Sequence, residues 1–286
     1  MNTVKQEINL LPNTQINYSK NNINIYRETK TLTRRLYIQT YRRPAILIIN
    51  IIQPLVWLIL FGALFQKTSI YLFNNYNIQY REFLNPGIIV FIGFNSSINA
   101  GLPIMFDREF GFLNRILSSP LINKKSLIYS AIVHIWSITS IQIILLIAFN
   151  TLYIHKITEI KQILIILAVN TLIIINISSI SICNAFTLPG HIEFIALTTL
   201  FVNIPTLFSS TALAPLSFMP YWLQIIVCLN PLTYAIEIIR QSYLKQTLSV
   251  STVWIEININ ISIMILVGFS ILSLILVNQI IRYKYD

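Results

Sequence analysis

The chain has 286 residues, of which 55% are hydrophobic and only 10% charged, with a formal net charge of +10 and a mean hydropathy of +0.68. Soluble domains carry about 25% charged residues, so this composition excludes a water-soluble surface and points to an integral membrane protein. Two cysteines, with no Cys-x-x-Cys, His-Glu-x-x-His or Cys/His cluster, give neither a disulfide framework nor a metal site.

Residues 1–24 are polar and Asn-rich, without the apolar core of a secretory signal or the Arg-rich character of a transit peptide. From Ile25 to Pro44 the positions Ile25, Thr29, Leu32, Leu36 and Thr40 recur at helical spacing. Arg27, Lys30, Arg34 and Arg35 lie largely off that stripe. This predicts a basic amphipathic helix lying in the membrane interface. Six apolar runs follow, near 45–65, 84–106, 127–153, 163–187, 193–213 and 253–281. A run of about 20 residues at 1.5 Å each spans the ~30 Å hydrocarbon core. Cys183 and Cys228 sit in such runs and read as buried apolar thiols.

Residues 214–248 are apolar but interrupted by Pro215, Pro220 and Pro231. Proline removes a backbone donor and breaks a helix. Non-helical backbone at membrane depth survives only when shielded by protein or lining a wet cavity. The pattern predicts a re-entrant pair of short helices, with a seventh full span as the competing reading. The expected fold is therefore all-α and polytopic: six transmembrane helices, an N-terminal interfacial helix and a re-entrant helical hairpin before the last span.

With six spans, fourteen of the 20 Lys/Arg fall on the side holding the N-terminal segment, the 107–126 loop and the C-terminal tail. The positive-inside bias puts both termini and that loop on the cytoplasm-like side. No glycine in the chain precedes a lysine, so the chain has no Gly-x-x-x-x-Gly-Lys-Ser/Thr loop to cradle ATP phosphates.

Two stretches carry recognisable patterns. The first is Asp107-Arg-Glu-Phe-Gly-Phe-Leu-Asn-Arg-Ile-Leu-Ser-Ser-Pro-Leu121. It reads as one short helix with Asp107 and Glu109 at its N-terminus, Pro120 ending it, and Phe110, Leu113, Ile116 and Leu117 on one apolar side. Gly111 permits a bend or a close approach. The second runs from Pro215 to Arg240 and contains Pro-Leu-Ser-Phe-Met-Pro-Tyr-Trp-Leu and Asn-Pro-Leu-Thr-Tyr-Ala-Ile-Glu-Ile-Ile-Arg. Both stretches, in this order, resemble those of the ABC-2 family of ATP-binding-cassette permeases. The resemblance covers most of the chain, departing at Phe112, where small or polar residues are common, and at Ser119, only one of the usual choices.

The resemblance implies that Asp107, Arg108, Glu109, Gly111, Leu113, Arg115 and Pro120 occupy coupling-loop positions that meet a separate ATPase subunit. It implies that Pro215, Pro220, Trp222, Pro231, Tyr234, Glu237 and Arg240 belong to gate helices on the opposite side. Expected partners are that ATPase, a second copy of the chain, the bilayer and an exported substrate of the drug, lipid-linked sugar or polysaccharide class. ATP and magnesium would be held by the ATPase, and no nucleic acid is expected. The chain itself would perform no bond chemistry. The Ile/Asn bias suits an AT-rich genome and, with the resemblance, a red-algal-type plastid membrane; a bacterial plasma membrane is the other home.

Glu237 and Arg240 are three apart, on one helical face, and are expected to pair or to face the pathway. Asn50, Gln53, Asn95, Ser96, Ser97, Asn99, His134, Gln142, Asn170, Asn176 and Asn203 lie within the runs. Intramembrane amides chiefly bond neighbouring helices. An ion-coupled secondary transporter would need acids near the midplane or internal repeats. An intramembrane enzyme would need a catalytic constellation, and none stands out.

Overall fold

The computed structural model describes residues 22–65, 80–118, 125–154, 159–244, 250–251, 256–257 and 259–285. Pro120, residues 245–248 and most of the polar 1–24 segment lie outside these. Helix α1 runs Asn22–Tyr41 and α2 Pro44–Leu64. Then come α3 (Tyr80–Ile98), α4 (Leu102–Glu109), α5 (Phe112–Ser118), α6 (Lys125–Ile154) and α7 (Ile160–Thr187). Next is α8 (His191–Ala196), which continues through a π-helical stretch, Leu197–Asn203, into α9 (Ile204–Phe208). Helices α10 (Tyr221–Leu229), α11 (Pro231–Leu244) and α12 (Ile259–Tyr285) complete the order. A two-residue antiparallel pairing joins Val250–Ser251 to Glu256–Ile257.

Among the described residues, six helical segments are long and apolar enough to cross a membrane: Leu47–Leu64, Tyr80–Glu109, Lys125–Thr151, Ile160–Thr187, His191–Phe208 and Ile259–Ile280. The α10–α11 pair is bent by 85° at Asn230. The fold is thus an all-α bundle with six candidate spans.

Local chemistry sets several boundaries. Pro44 opens α2, where its missing N–H costs nothing. Glu159 and Gln162 form a reciprocal capping box at the start of α7. Pro205 sits one turn into the end of the fifth span, and a helical proline clashes with the carbonyl four residues back. The widened π turns directly before it relieve that clash.

In lipid the hydrophobic effect does not draw helices together, so small residues and interhelical hydrogen bonds do more of the work. Helix α7 is the hub, packed against α3, α6, α11 and α12. The break between α3 and α4 is pinned to it: Gly101 N–H donates to Ser181 Oγ (2.9 Å), which donates to the Ile98 carbonyl (2.6 Å). A Cβ on Gly101 would collide with the Ser181 carbonyl and the Ala185 methyl. We therefore expect Gly101→Ala to destabilise the bundle by about 1–3 kcal/mol through overpacking, read as a lower unfolding midpoint in detergent. Further interhelical bonds join Asn150 to Asn85 (2.5 Å), Ser96 to Gln142 (3.0 Å) and Asn203 to Asn95 (3.2 Å). Each contributes about 0.6 kcal/mol.

These contacts fix the two ends of the bundle. Tyr80, opening α3, donates to the Leu213 carbonyl (3.0 Å), and Gln162, opening α7, donates to the Ser242 carbonyl (2.9 Å). The far ends of α3 and α7 meet at Ser181 and Gly101. One end thus gathers Leu213 and the end of α11, and the other gathers α4 and α5. Leu113, Ile116, Leu127 and Phe194 form the core at the α4–α5 end, joined by Val277 near the end of α12. Helix α1 lies at this end too, bonded to α6 through Thr40–His134 (2.9 Å) and Tyr37–Ser137.

Candidate functional site at the two ends of the bundle

The Asp107–Leu121 stretch is not the single helix expected from its sequence. Asp107, Arg108 and Glu109 form the C-terminal end of α4, and Gly111, at φ +71°, turns the chain into α5. A left-handed residue cannot sit inside an α-helix, so the acidic pair ends one helix instead of opening another. No atom lies within 4 Å of a Cβ placed on Gly111. Gly111→Ala should therefore cost only the backbone term, about 1–2 kcal/mol, seen as a lower unfolding midpoint.

The three charged residues of this corner reach three elements. Asp107 forms an ion pair with Arg35 of α1. Arg108 donates to the carbonyls of Ala185 (2.9 Å), Phe186 (3.2 Å), Leu188 and Pro189 (2.8 Å). The first two belong to the last turn of α7, whose carbonyls lack intrahelical partners. Glu109 accepts from the backbone N–H of His191 (2.6 Å) and meets its ring Nδ1 (2.5 Å). In α5, Leu113 and Ile116 are buried, as the apolar stripe required, whereas Asn114 and Arg115 are exposed. Phe110, expected on the same stripe, is instead 79% exposed, because the turn at Gly111 rotates it away. Phe112 is also exposed and carries the Arg35 guanidinium 4.7 Å above its ring.

At the other end, Pro215 precedes a short 3-10 turn and Pro220 immediately precedes α10. Tyr221 and Trp222 point outward. The 85° corner is built by the Asn-Pro-Leu-Thr-Tyr run itself. Asn230 Nδ2 donates to the carbonyls of Thr206 (3.0 Å) and Ser209 (2.7 Å), and its Oδ1 accepts from Leu232 N–H (3.0 Å). Thr233 and Tyr234 hydroxyls donate to Val227 and Cys228 carbonyls at 2.8 and 2.6 Å. Pro231 starts α11 and lacks the N–H that the break would orphan. Glu237 and Arg240 pair with each other deep in the protein, Arg240 being 1% exposed. Arg240 also donates to the Thr211 carbonyl (2.7 Å) and lies 3.8 Å over the Phe83 ring.

Sequence reasoning missed His191, Asn230, Thr211 and Phe83 as partners. Only Asn230 carried a local signal, as an Asn-Pro turn opener. Of the intramembrane polar residues, Gln53 and Asn203 line a cleft of about 700 Å³ between α2 and the fifth span, with Trp57, Leu60 and Phe208. Asn176 lines a second, of about 400 Å³, on the other side of that span. Asn170 bonds a carbonyl of its own helix, and Asn99, just past the end of α3, bonds the Asn95 carbonyl of that helix.

The family model described as ABC-2 type transporter matches residues 27–244, which takes in most of α1, both patterned stretches and five of the six spans. Three relatives share the name "Putative transport permease ycf38". The protein from Porphyra purpurea is 42% identical over 92% of this chain and 91% of its own length. That from Pyropia yezoensis is 41% identical over 92% and 91%. That from Cyanophora paradoxa is 44% identical over 89% of each. The chain belongs to the ABC-2 type transporter family and is a membrane permease of that kind.

Proposed function

We propose that this permease is the membrane half of an ATP-driven exporter whose ATPase is a separate polypeptide. The observation that carries the reading is that the α4–α5 corner lies at one end of α3 and α7, whereas the second stretch ends at Arg240, over Phe83 near the other end of α3. The α4–α5 corner would receive the ATPase, and the α10–α11 pair would form a re-entrant gate where substrate leaves. Helix α1 would lie in the interface beside the ATPase side. The basic excess supports placing that side, with both termini, in the cytoplasm-like compartment. ATP and magnesium would be held by the ATPase, since this sequence has no phosphate-cradling loop.

One copy offers six spans, and the first, fifth and sixth are the least covered, with 17%, 17% and 22% of their most apolar windows buried. That bareness supports a homodimer, with the second copy closing the cleft beside α2. A cleft of this size suits a drug-sized or lipid-linked apolar group; the expected cargo class is a drug, a lipid-linked sugar or a polysaccharide. The organisms of the relatives support a plastid membrane, with the ATPase on the stromal side. Buried Glu237 is already paired with Arg240, which counts against an ion-coupled transporter.

The test is co-purification of an ATPase with tagged permease from its own membranes. Arg115→Glu should reduce the recovered ATPase by about tenfold, as truncating or reversing an interface arginine commonly does. Full recovery would show that α5 is not the docking element.

A further inference from the structure

Resting on that reading, we propose that Asp107, Arg108 and Glu109 are not ATPase contacts but positioning residues. They splice the end of the second span to three other elements, so that a push on α5 moves those elements together. Successive residues on a helix point about 100° apart, so three in a row can address three neighbours. Here they do: Asp107 takes α1 through Arg35, Arg108 takes the last turn of α7 and the turn after it, and Glu109 takes the start of α8.

The acceptor set makes this a splice and not a surface decoration. Arg108 spends both terminal nitrogens on four backbone carbonyls, two of them in the final turn of α7. Glu109 spends both oxygens on His191. Gly190, whose Cβ position would lie 3.1 Å from Glu109 Oε1, lets the two segments close on each other. The charges of residues 107–109 are therefore committed to other elements of this chain before any partner arrives, Glu109 at the surface and Asp107 and Arg108 half-buried.

What remains outward is different chemistry. Phe110, Phe112, Asn114 and Arg115 are exposed across the Gly111 turn. Aromatic and arginine side chains are those that dominate protein interfaces. Leu113 and Ile116 root this face in the core at that end. The motif thus divides into a docking half, residues 110–115, and a transmitting half, residues 107–109, whose charged groups are bonded to other elements of the chain.

Two readouts separate the halves, both taken on the complex of permease with its co-purified ATPase. One is the quantity of ATPase retained. The other is the thiol-labelling rate of Trp222→Cys at the far end, with and without ATP, in a background lacking Cys183 and Cys228. Phe110→Ala and Arg115→Glu should lose ATPase. Glu109→Gln and Arg108→Gln should keep ATPase within about twofold while the ATP-dependent change in labelling shrinks by about tenfold, an ordinary size for a lost coupling. His191→Ala removes the side-chain half of the Glu109 contact without touching the motif. It should give the same separation in weaker form, and it decides the matter if the motif variants do not fold. Retention of the full labelling response in Glu109→Gln or His191→Ala overturns the proposal, as does loss of ATPase binding in those variants. An unresponsive wild-type complex would overturn the ATP-driven reading instead.

Discussion

Replacing Arg240 with methionine should be the most damaging single change in the bundle, lowering stability by about 3–5 kcal/mol, because it strands a buried carboxylate. Glu237 is buried and its salt-bridge partner is Arg240. The substitution also frees the Thr211 carbonyl and removes the cation over Phe83. Desolvating two charges is costly, and breaking a pair is worse than never having had it. The double variant Glu237→Gln with Arg240→Met should therefore recover a large part of the loss. Unfolding midpoints of the single and double variants in detergent check this. A double variant no better than the single would mean that the Thr211 and Phe83 contacts, not the ion pair, hold α11 in place.

Asn230→Ala should have the second largest effect, and a more local one. It removes one acceptor from Leu232 N–H and two donors from the carbonyls of Thr206 and Ser209. A buried polar group left without a partner costs about 1–3 kcal/mol, so the corner should loosen before the bundle does. Hydrogen exchange should rise at 206–212 and 230–234 while α3 and α7 stay protected. Asn230→Asp keeps the acceptor for Leu232 but offers no donor to the two carbonyls. It should fall between wild type and alanine if the capping bond matters, and match or exceed alanine if the two carbonyl bonds dominate.

What could be read from sequence was what composition and spacing encode. The spans are legible because the bilayer demands about 20 apolar residues whatever the helix packs against. The proline-broken stretch announced a break at Pro231, since proline cannot continue a helix there. The Glu237–Arg240 pairing follows from spacing alone. Contacts distant in sequence were not legible. Asn230 finds its acceptors 21 and 24 residues away, and Arg108 finds its own 77 to 81 residues away. Gly111 shows the sharper limit: a glycine in a charged run allows a bend without requiring one. Only the backbone reveals that it separates α4 from α5 and reverses which helix end Asp107 and Glu109 occupy. The π turns before Pro205 were equally silent, because a proline in a helix calls for relief of its clash without dictating that π turns supply it.

The central claim is that this bundle receives force at one membrane face and delivers it at the other. Single cysteines at Asn114, exposed on α5, and at Trp222, exposed on α10, report the two ends. In sealed vesicles carrying the permease and its ATPase, a membrane-impermeant thiol reagent is applied from each side in turn. We expect residue 114 to react only from the ATPase side and to be shielded when the ATPase is bound, and residue 222 to react only from the opposite side, unshielded. Labelling of both positions from one side, or shielding of residue 222 by the ATPase, would contradict that claim.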